Sequence, residues 1–133
     1  MNKPRIGLVG VGLMGHGIAL NIARKGYALA VLEHPGNQPL DELRALGVTS
    51  AATVRALARQ VEVLILCVTG SPQVEAVLLG EQGALAALRP GTVVIDCSTA
   101  IPTSTEAVAR VVAAAGGRFL DAPMTRTPKE AAE

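Results

Sequence analysis

Short apolar runs alternate with stretches of helical spacing along the whole chain, and glycine and proline separate them. Arg5 to Val9 predicts a first strand. Leu13 to Lys25 predicts a helix whose apolar side includes Met14, Ile18 and Ile22, with Gly26 as its C-terminal stop. Leu29 to Glu33 predicts a second strand. Pro35, Gly36, Asn37 and Pro39 then break the chain. Leu40 to Leu46 forms a short helix with Pro39 at its first turn, ending at Gly47, and a brief third strand follows near Val48. Thr53 caps a helix through Arg59. Val61 to Val68 is so continuously apolar that it predicts a strand buried on both faces, the centre of the sheet. Ser71-Pro72 opens a helix to about Leu79, Ala84 to Leu88 adds a turn or two, and Thr92 to Asp96 gives a fifth strand. An alanine-rich helix begins at or near Thr103 and runs to Ala115. Gly116-Gly117 ends it, and Arg118 to Asp121 is the sixth strand.

Strands and helices that alternate in this way imply right-handed crossovers and an α/β fold, a doubly wound parallel sheet of six strands with helices on both faces. In such a sheet the ligand lies outside the carboxyl ends of the strands, where the strand order reverses. Gly10 to Gly15, Glu33, Val68 to Ser71, Asp96 to Thr99 and Asp121 to Thr127 all fall at that edge.

The run Gly10-Val11-Gly12-Leu13-Met14-Gly15 sits between the first strand and the first helix, and Glu33 follows eighteen positions after Gly15 at the end of the second strand. That is the dinucleotide fingerprint of a Rossmann sheet. Gly10 allows the tight turn, Gly12 lets a pyrophosphate approach the backbone, and Gly15 lets the helix pack closely on the strands. The helix N-terminus supplies free N–H groups and a partial positive charge to the phosphates. A carboxylate at Glu33 can accept hydrogen bonds from a ribose 2′-OH and repels a 2′-phosphate, so NAD is favoured over NADP. Glu33 also has a plainer reading as a solvated strand end, and His34 reads as a solvated loop residue able to stack or hydrogen-bond near an adenine.

The 133 residues suit one domain, residues 1–133, large enough to bury about two-thirds of its unfolded surface without metal or disulfide staples. Tyr27 and Phe119 are the aromatic residues, so Ala, Val, Leu and Ile must build the core. A net charge of +1 with no long run of either sign argues against a nucleic-acid or anionic-membrane surface and for a small partner. No set of residues reads as a metal site. Cys67 and Cys97 lie in or at the end of apolar stretches and are expected to be buried, reduced and inert. Lys3 and Arg5 ahead of an apolar segment, with Ala28-Leu29-Ala30 beyond it, imitate a secretory signal. Five glycines together with His16 and Asn21 make that segment a poor membrane-inserting core, and no run approaches the length of a membrane span, so a cytoplasmic protein is expected.

Three further segments carry a resemblance: Gly10 to Gly15 with Asn21 downstream, Asp96-Cys97-Ser98-Thr99 followed by Pro102-Thr103-Ser104, and Phe119-Leu120-Asp121-Ala122-Pro123. Over essentially its whole length the chain resembles the β-hydroxyacid dehydrogenases, the group that includes 3-hydroxyisobutyrate dehydrogenase. The resemblance implies that the pyrophosphate of NAD meets Gly12, Leu13 and Met14, that the adenosine ribose meets Glu33, and that Val68, Thr69, Gln73 and Thr99 supply further contacts. Thr99 has a plainer reading as a cap before Pro102. Asp96 reads as a loop-holding residue that binds backbone, and His16 as a helix-surface residue.

After Pro123 the family usually carries V-S-G-G, whose serine and glycine backbones hold the substrate carboxylate. Here Met124-Thr125-Arg126-Thr127 stands instead, which looks like the sulfolactaldehyde reductase branch. Thr125 can replace the serine, and Arg126 can grip a sulfonate or carboxylate through paired N–H···O bonds or can sit on a solvated loop. A small hydroxy acid or semialdehyde, with a second anionic group, is the substrate this implies. The family's proton-transferring lysine belongs to a G-x-x-K motif some fifty residues beyond the FLDAP aspartate, which falls past Glu133. Lys3, Lys25 and Lys129 do not match it. No catalytic residue is therefore assigned in this chain, which resembles the cofactor-binding half of a dehydrogenase without the helical domain that closes the substrate pocket and forms a homo-oligomer. The reading from a different class is a nucleotide-binding module that holds NAD without turnover.

Overall fold

The computed structural model describes residues 3–81, 83–98 and 101–122. Six strands form one parallel sheet: β1 (Ile6–Val9), β2 (Leu29–Leu32), β3 (Thr49–Ala51), β4 (Val63–Leu66), β5 (Val93–Asp96) and β6 (Arg118–Asp121). The order across the sheet is β3-β2-β1-β4-β5-β6, so the direction of winding reverses between β1 and β4. Among the described residues five α-helices connect the strands: α1 (Leu13–Arg24), α2 (Asp41–Ala45), α3 (Val54–Ala58), α4 (Ser71–Leu79) and α5 (Pro102–Ala114), with a 3-10 turn at Leu85–Ala87.

Because side chains alternate across a strand, each face of the sheet has its own core. Ile6, Leu8, Leu29, Val31 and Ile65 pack with Ala19 and Leu20 of α1 and Leu43 of α2. Val9, Ala30, Leu64, Leu66 and Val94 pack on the opposite side with Leu57 of α3, Val74 and Leu78 of α4, and Val108 and Val112 of α5. Helices lie on both faces, as right-handed crossovers leaving β1 in opposite directions require.

Several boundaries differ from the sequence reading for identifiable reasons. Beside the glycine turn α1 lies so close to the strands that small residues occupy its buried side, Gly15, Gly17 and Ala19 with Leu20, while Met14 and Ile18 are half-exposed. The short helix begins at Asp41, one residue after Leu40, with Asp41 and Glu42 in the first turn where acidic groups complement the helix dipole. α5 begins at Pro102, where a missing N–H costs nothing. β4 is shorter than the apolar run that predicts it, although it is the central strand beside β1. Thr53 caps α3 as expected, its Oγ1 accepting the Ala56 N–H at 3.0 Å.

Candidate cofactor site

The reversal point between β1 and β4 opens at the carboxyl edge, and the three fingerprint glycines divide there into two kinds. Gly10 leaves β1 at φ +100°, and a Cβ on it would lie 2.0 Å from the carbonyl oxygen of Cys67. A Cβ on Gly15 would lie 1.8 Å from the Gly10 carbonyl oxygen. These two glycines let the end of β4, the turn and the first turn of α1 stack without any gap. Gly12 is different: a Cβ there meets nothing within 4 Å. Its bareness serves nothing inside the chain and leaves an open approach to the backbone.

Gly12 is also the N-cap of α1, with extended backbone and no side-chain cap hydrogen bond, and no acidic residue occupies the first turn. The first intrahelical bond runs from the His16 N–H to the Gly12 carbonyl at 2.9 Å. The N–H groups of Leu13, Met14 and Gly15 thus have no acceptor within the helix and carry its positive dipole end. An anion seated over Gly12 would meet those amides. Val11 is fully buried, and its carbonyl accepts the Gln38 N–H at 2.7 Å, tying the segment after β2 to the glycine turn.

That segment carries the next pair of candidates. Glu33 continues the ladder, its N–H donating to the Ala51 carbonyl at 2.8 Å, and its exposed carboxylate accepts the Ser50 hydroxyl at 2.9 Å. His34 accepts the Gly36 N–H on Nδ1 at 2.9 Å, so a neutral ring carries its proton on Nε2. A cleft of about 420 Å³ is lined by Gly10, Leu32 and His34 from the first half of the sheet and by Val68, Thr69, Gln73 and Val77 from the second. A hollow of about 490 Å³ shares His34 and includes Glu33, Asn37, Gln38 and Arg44.

Across the cleft, the loops after β4 and β5 are bound to each other. The Val68 N–H donates to Ser98 Oγ at 2.9 Å, and the Ile101 N–H donates to Ser71 Oγ at 2.7 Å. Asp96 is completely buried, and its Oδ1 accepts the Ser98 N–H at 2.9 Å, the loop-holding role its position suggests. Cys67 and Cys97 follow the paired ends of β4 and β5 and are half-buried. Burial, then the neighbouring Cys97 and Asp96, pushes the Cys67 thiol up to about 11. Cys97 is raised by burial, then by Asp96 and Asp121.

All ten cofactor residues singled out from the sequence within the described segments, Gly10, Gly12, Leu13, Met14, Gly15, Glu33, His34, Val68, Thr69 and Gln73, lie at this edge. Thr99, Thr125, Arg126 and Thr127 lie outside the described residues. Sequence reasoning missed Ser50 and Arg44 in the hollow with Glu33, and it placed Ser71 and Ser98 at the edge without the hydrogen bonds that join the loops. Ser50 depends on the register of β3 against β2, Arg44 on where α2 sits, and the bonds of Ser71 and Ser98 on the side-by-side placement of β4 and β5, none of which a local pattern encodes. Among the described residues no three metal-ligating side chains converge, and no helix is long and apolar enough to cross a membrane.

A family model described as the NAD binding domain of 6-phosphogluconate dehydrogenase matches residues 5–133. The chain belongs to this family of NAD-binding domains. Within it, the chain is 37% identical over 121 residues to a 2-hydroxy-3-oxopropionate reductase of Escherichia coli, covering 91% of this chain and 41% of that protein. It is 34% identical over 121 residues to an NAD-dependent L-serine dehydrogenase of Pseudomonas aeruginosa, covering 91% of this chain and 40% of that one. The crystal structure of a 3-hydroxyisobutyrate dehydrogenase from Salmonella typhimurium superposes with a TM-score of 0.88 at 30% identity, over 98% of this chain and 45% of that one. This NAD-binding domain therefore spans about two-fifths of the length of the curated relatives it matches.

Proposed function

We propose that the protein binds NAD across the carboxyl edge of its sheet and serves as the cofactor-binding half of an oxidoreductase of the β-hydroxyacid dehydrogenase type. The observation that carries this is the contrast at the fingerprint: Gly10 and Gly15 are bare because the chain packs against them, whereas Gly12 is bare toward open space above three unpaired amides. The diphosphate fits over Gly12, Leu13 and Met14. The ribose fits against Glu33, and the adenine against the cleft walls at Leu32, His34, Val68 and Val77. When bound, the nicotinamide supplies the hydride that reduces a carbonyl or takes one from an alcohol carbon. Glu33 favours NAD over NADP, since a 2′-phosphate beside its carboxylate meets like charge.

A small 3-hydroxy acid or its semialdehyde is the substrate class, supported by the relatives named as reductases and dehydrogenases of such compounds. Thr125, Arg126 and Thr127 would hold it, with Arg126 suited to a second anionic group through paired hydrogen bonds. Hydride transfer at an alcohol carbon also moves a proton, and no residue of this chain is assigned that step.

Isothermal titration with NAD and NADP tests the reading. NAD is expected to bind more tightly, and Glu33→Ala to weaken NAD and narrow the preference. Unchanged affinity for both cofactors in that variant would remove Glu33 from the site. NADH formation with any of a panel of 3-hydroxy acids would show a dehydrogenase directly, and NAD binding without it would favour the binding module.

A further inference from the structure

The carboxylate that faces the ribose does not stand alone. Glu33 emerges at the end of β2 on an exposed stretch of chain, where a glutamate normally samples many rotamers. Its Oε1 accepts the Ser50 hydroxyl at 2.9 Å. Ser50 lies on β3, where the register pairs it with Val31 and pairs Ala51 with Leu32, and the Glu33 N–H in turn donates to the Ala51 carbonyl. Backbone and side chain of Glu33 are thereby both tied to β3. The same hollow includes Arg44, a cation that a 2′-phosphate could use if the carboxylate turned away.

We infer that Ser50 is a specificity-determining positioning residue: its hydroxyl pins the Glu33 carboxylate in the hollow, which keeps one carboxylate oxygen bound and holds the negative charge where it meets the ribose 2′ position. This rests on the reading of Glu33 as the ribose acceptor. Removing the pin lets the carboxylate rotate out, so NAD loses a pre-positioned acceptor while NADP loses a repulsive neighbour. The two cofactors should therefore respond differently, NAD weakening while NADP holds or tightens, which loss of general stability would not produce.

The test is a double-mutant cycle on the 133-residue protein, with NAD and NADP affinities measured by isothermal titration for wild type, Ser50→Ala, Glu33→Ala and the double variant. Ser50→Ala is expected to weaken NAD about fivefold, the scale of one modest hydrogen bond, and to leave NADP unchanged or tighter. In the Glu33→Ala background the same change is expected to do nothing, and Ser50→Thr, which keeps the hydroxyl, should restore the NAD preference. If Ser50→Ala weakens NAD and NADP alike, or acts equally with and without Glu33, the inference about Ser50 is overturned while the ribose reading stands. If Glu33→Ala itself leaves both affinities unchanged, the ribose reading fails first and takes this inference with it.

Discussion

The unit β1–α1–β2 and the unit β4–α4–β5 present opposite surfaces to the cleft they share. In the first, the backbone is left open: Gly12 faces empty space, the first amides of α1 have no acceptor in the helix, and the carboxylate of Glu33 is exposed. In the second, loop amides are already occupied, with Val68 and Ile101 donating to Ser98 and Ser71, and Ser98 donating to buried Asp96. An unpaired amide suits an anion, and a wall whose loop amides are bound to neighbouring serines and Asp96 suits a flat, weakly polar ring. The same crossover topology thus yields one side with open amides and an exposed carboxylate and one side whose loops are tied to each other.

The sharpest way to break this comparison is to add a methyl group at glycines that belong to different sides of it. Gly15→Ala puts a Cβ 1.8 Å from a backbone oxygen that cannot rotate away, so α1 must shift off the turn. Overpacking of that kind should destabilise the fold by about 3 kcal/mol or more, read as a lowered midpoint in urea unfolding. Gly12→Ala meets no atom of the chain. Its unfolding free energy should stay within about 1 kcal/mol of wild type while NAD affinity falls at least tenfold. A Gly12→Ala protein that binds NAD normally would end the reading of this turn as a phosphate cradle.

A smaller effect is expected on the closed side. Ser98→Ala leaves the Val68 N–H without its acceptor and should cost about 1–3 kcal/mol of stability, seen as a lower melting temperature. NAD affinity should fall a few-fold, because Val68 lines the cleft. Ser50→Ala, on the exposed side, should instead leave stability within about 0.5 kcal/mol of wild type. Equal losses of stability in the two serine variants would show that the two sides are not built differently.

The sequence announces the open side far more clearly than the closed one. Gly10, Gly12 and Gly15 reveal themselves by their spacing, Gly10 and Gly15 stand where a Cβ would strike backbone, and the apolar rhythm around them marks all six strands. The turn at Gly10 and the close helix packing at Gly15 are legible in outline, and the ligand role expected of Gly12 is what Gly12→Ala tests. What stayed hidden depends on distance through space. Ser98 stands in a recognisable motif at the ligand edge, but its bond to Val68, thirty residues away in the chain, appears only when β5 is placed against β4. Ser50 reads as part of a short, featureless strand until the register with β2 brings it to Glu33. In helix α1 the hydropathy pattern puts Met14, Ile18 and Ile22 on the apolar side, whereas the buried positions are Gly15, Gly17, Ala19 and Leu20. Proximity to the turn favours small residues there, and a hydropathy pattern carries no information about how near two elements approach.

The two thiols offer the most delicate probe, because they stand where the open and closed sides meet. Cys67 lines the cleft, and its carbonyl lies beneath Gly10, while Cys97 follows the neighbouring strand. Burial and nearby negative charge disfavour the thiolate at both, with Cys67 raised to about 11. A thiol whose pKa is higher folded than unfolded keeps its full contribution to stability below the unfolded value and loses it as pH rises through the folded one. Stability should therefore decline between about pH 8.5 and pH 11, and be insensitive to these groups at neutral pH. Since the thiolate is the nucleophile, alkylation by iodoacetamide should be slow at pH 7 and rise about tenfold per pH unit toward that range. Bound NAD should slow the reaction at Cys67, which peptide mapping by mass spectrometry can assign. Rapid modification of Cys67 at neutral pH, unchanged by NAD, would place that thiol outside the cleft and remove the wall on which the comparison of the two sides depends.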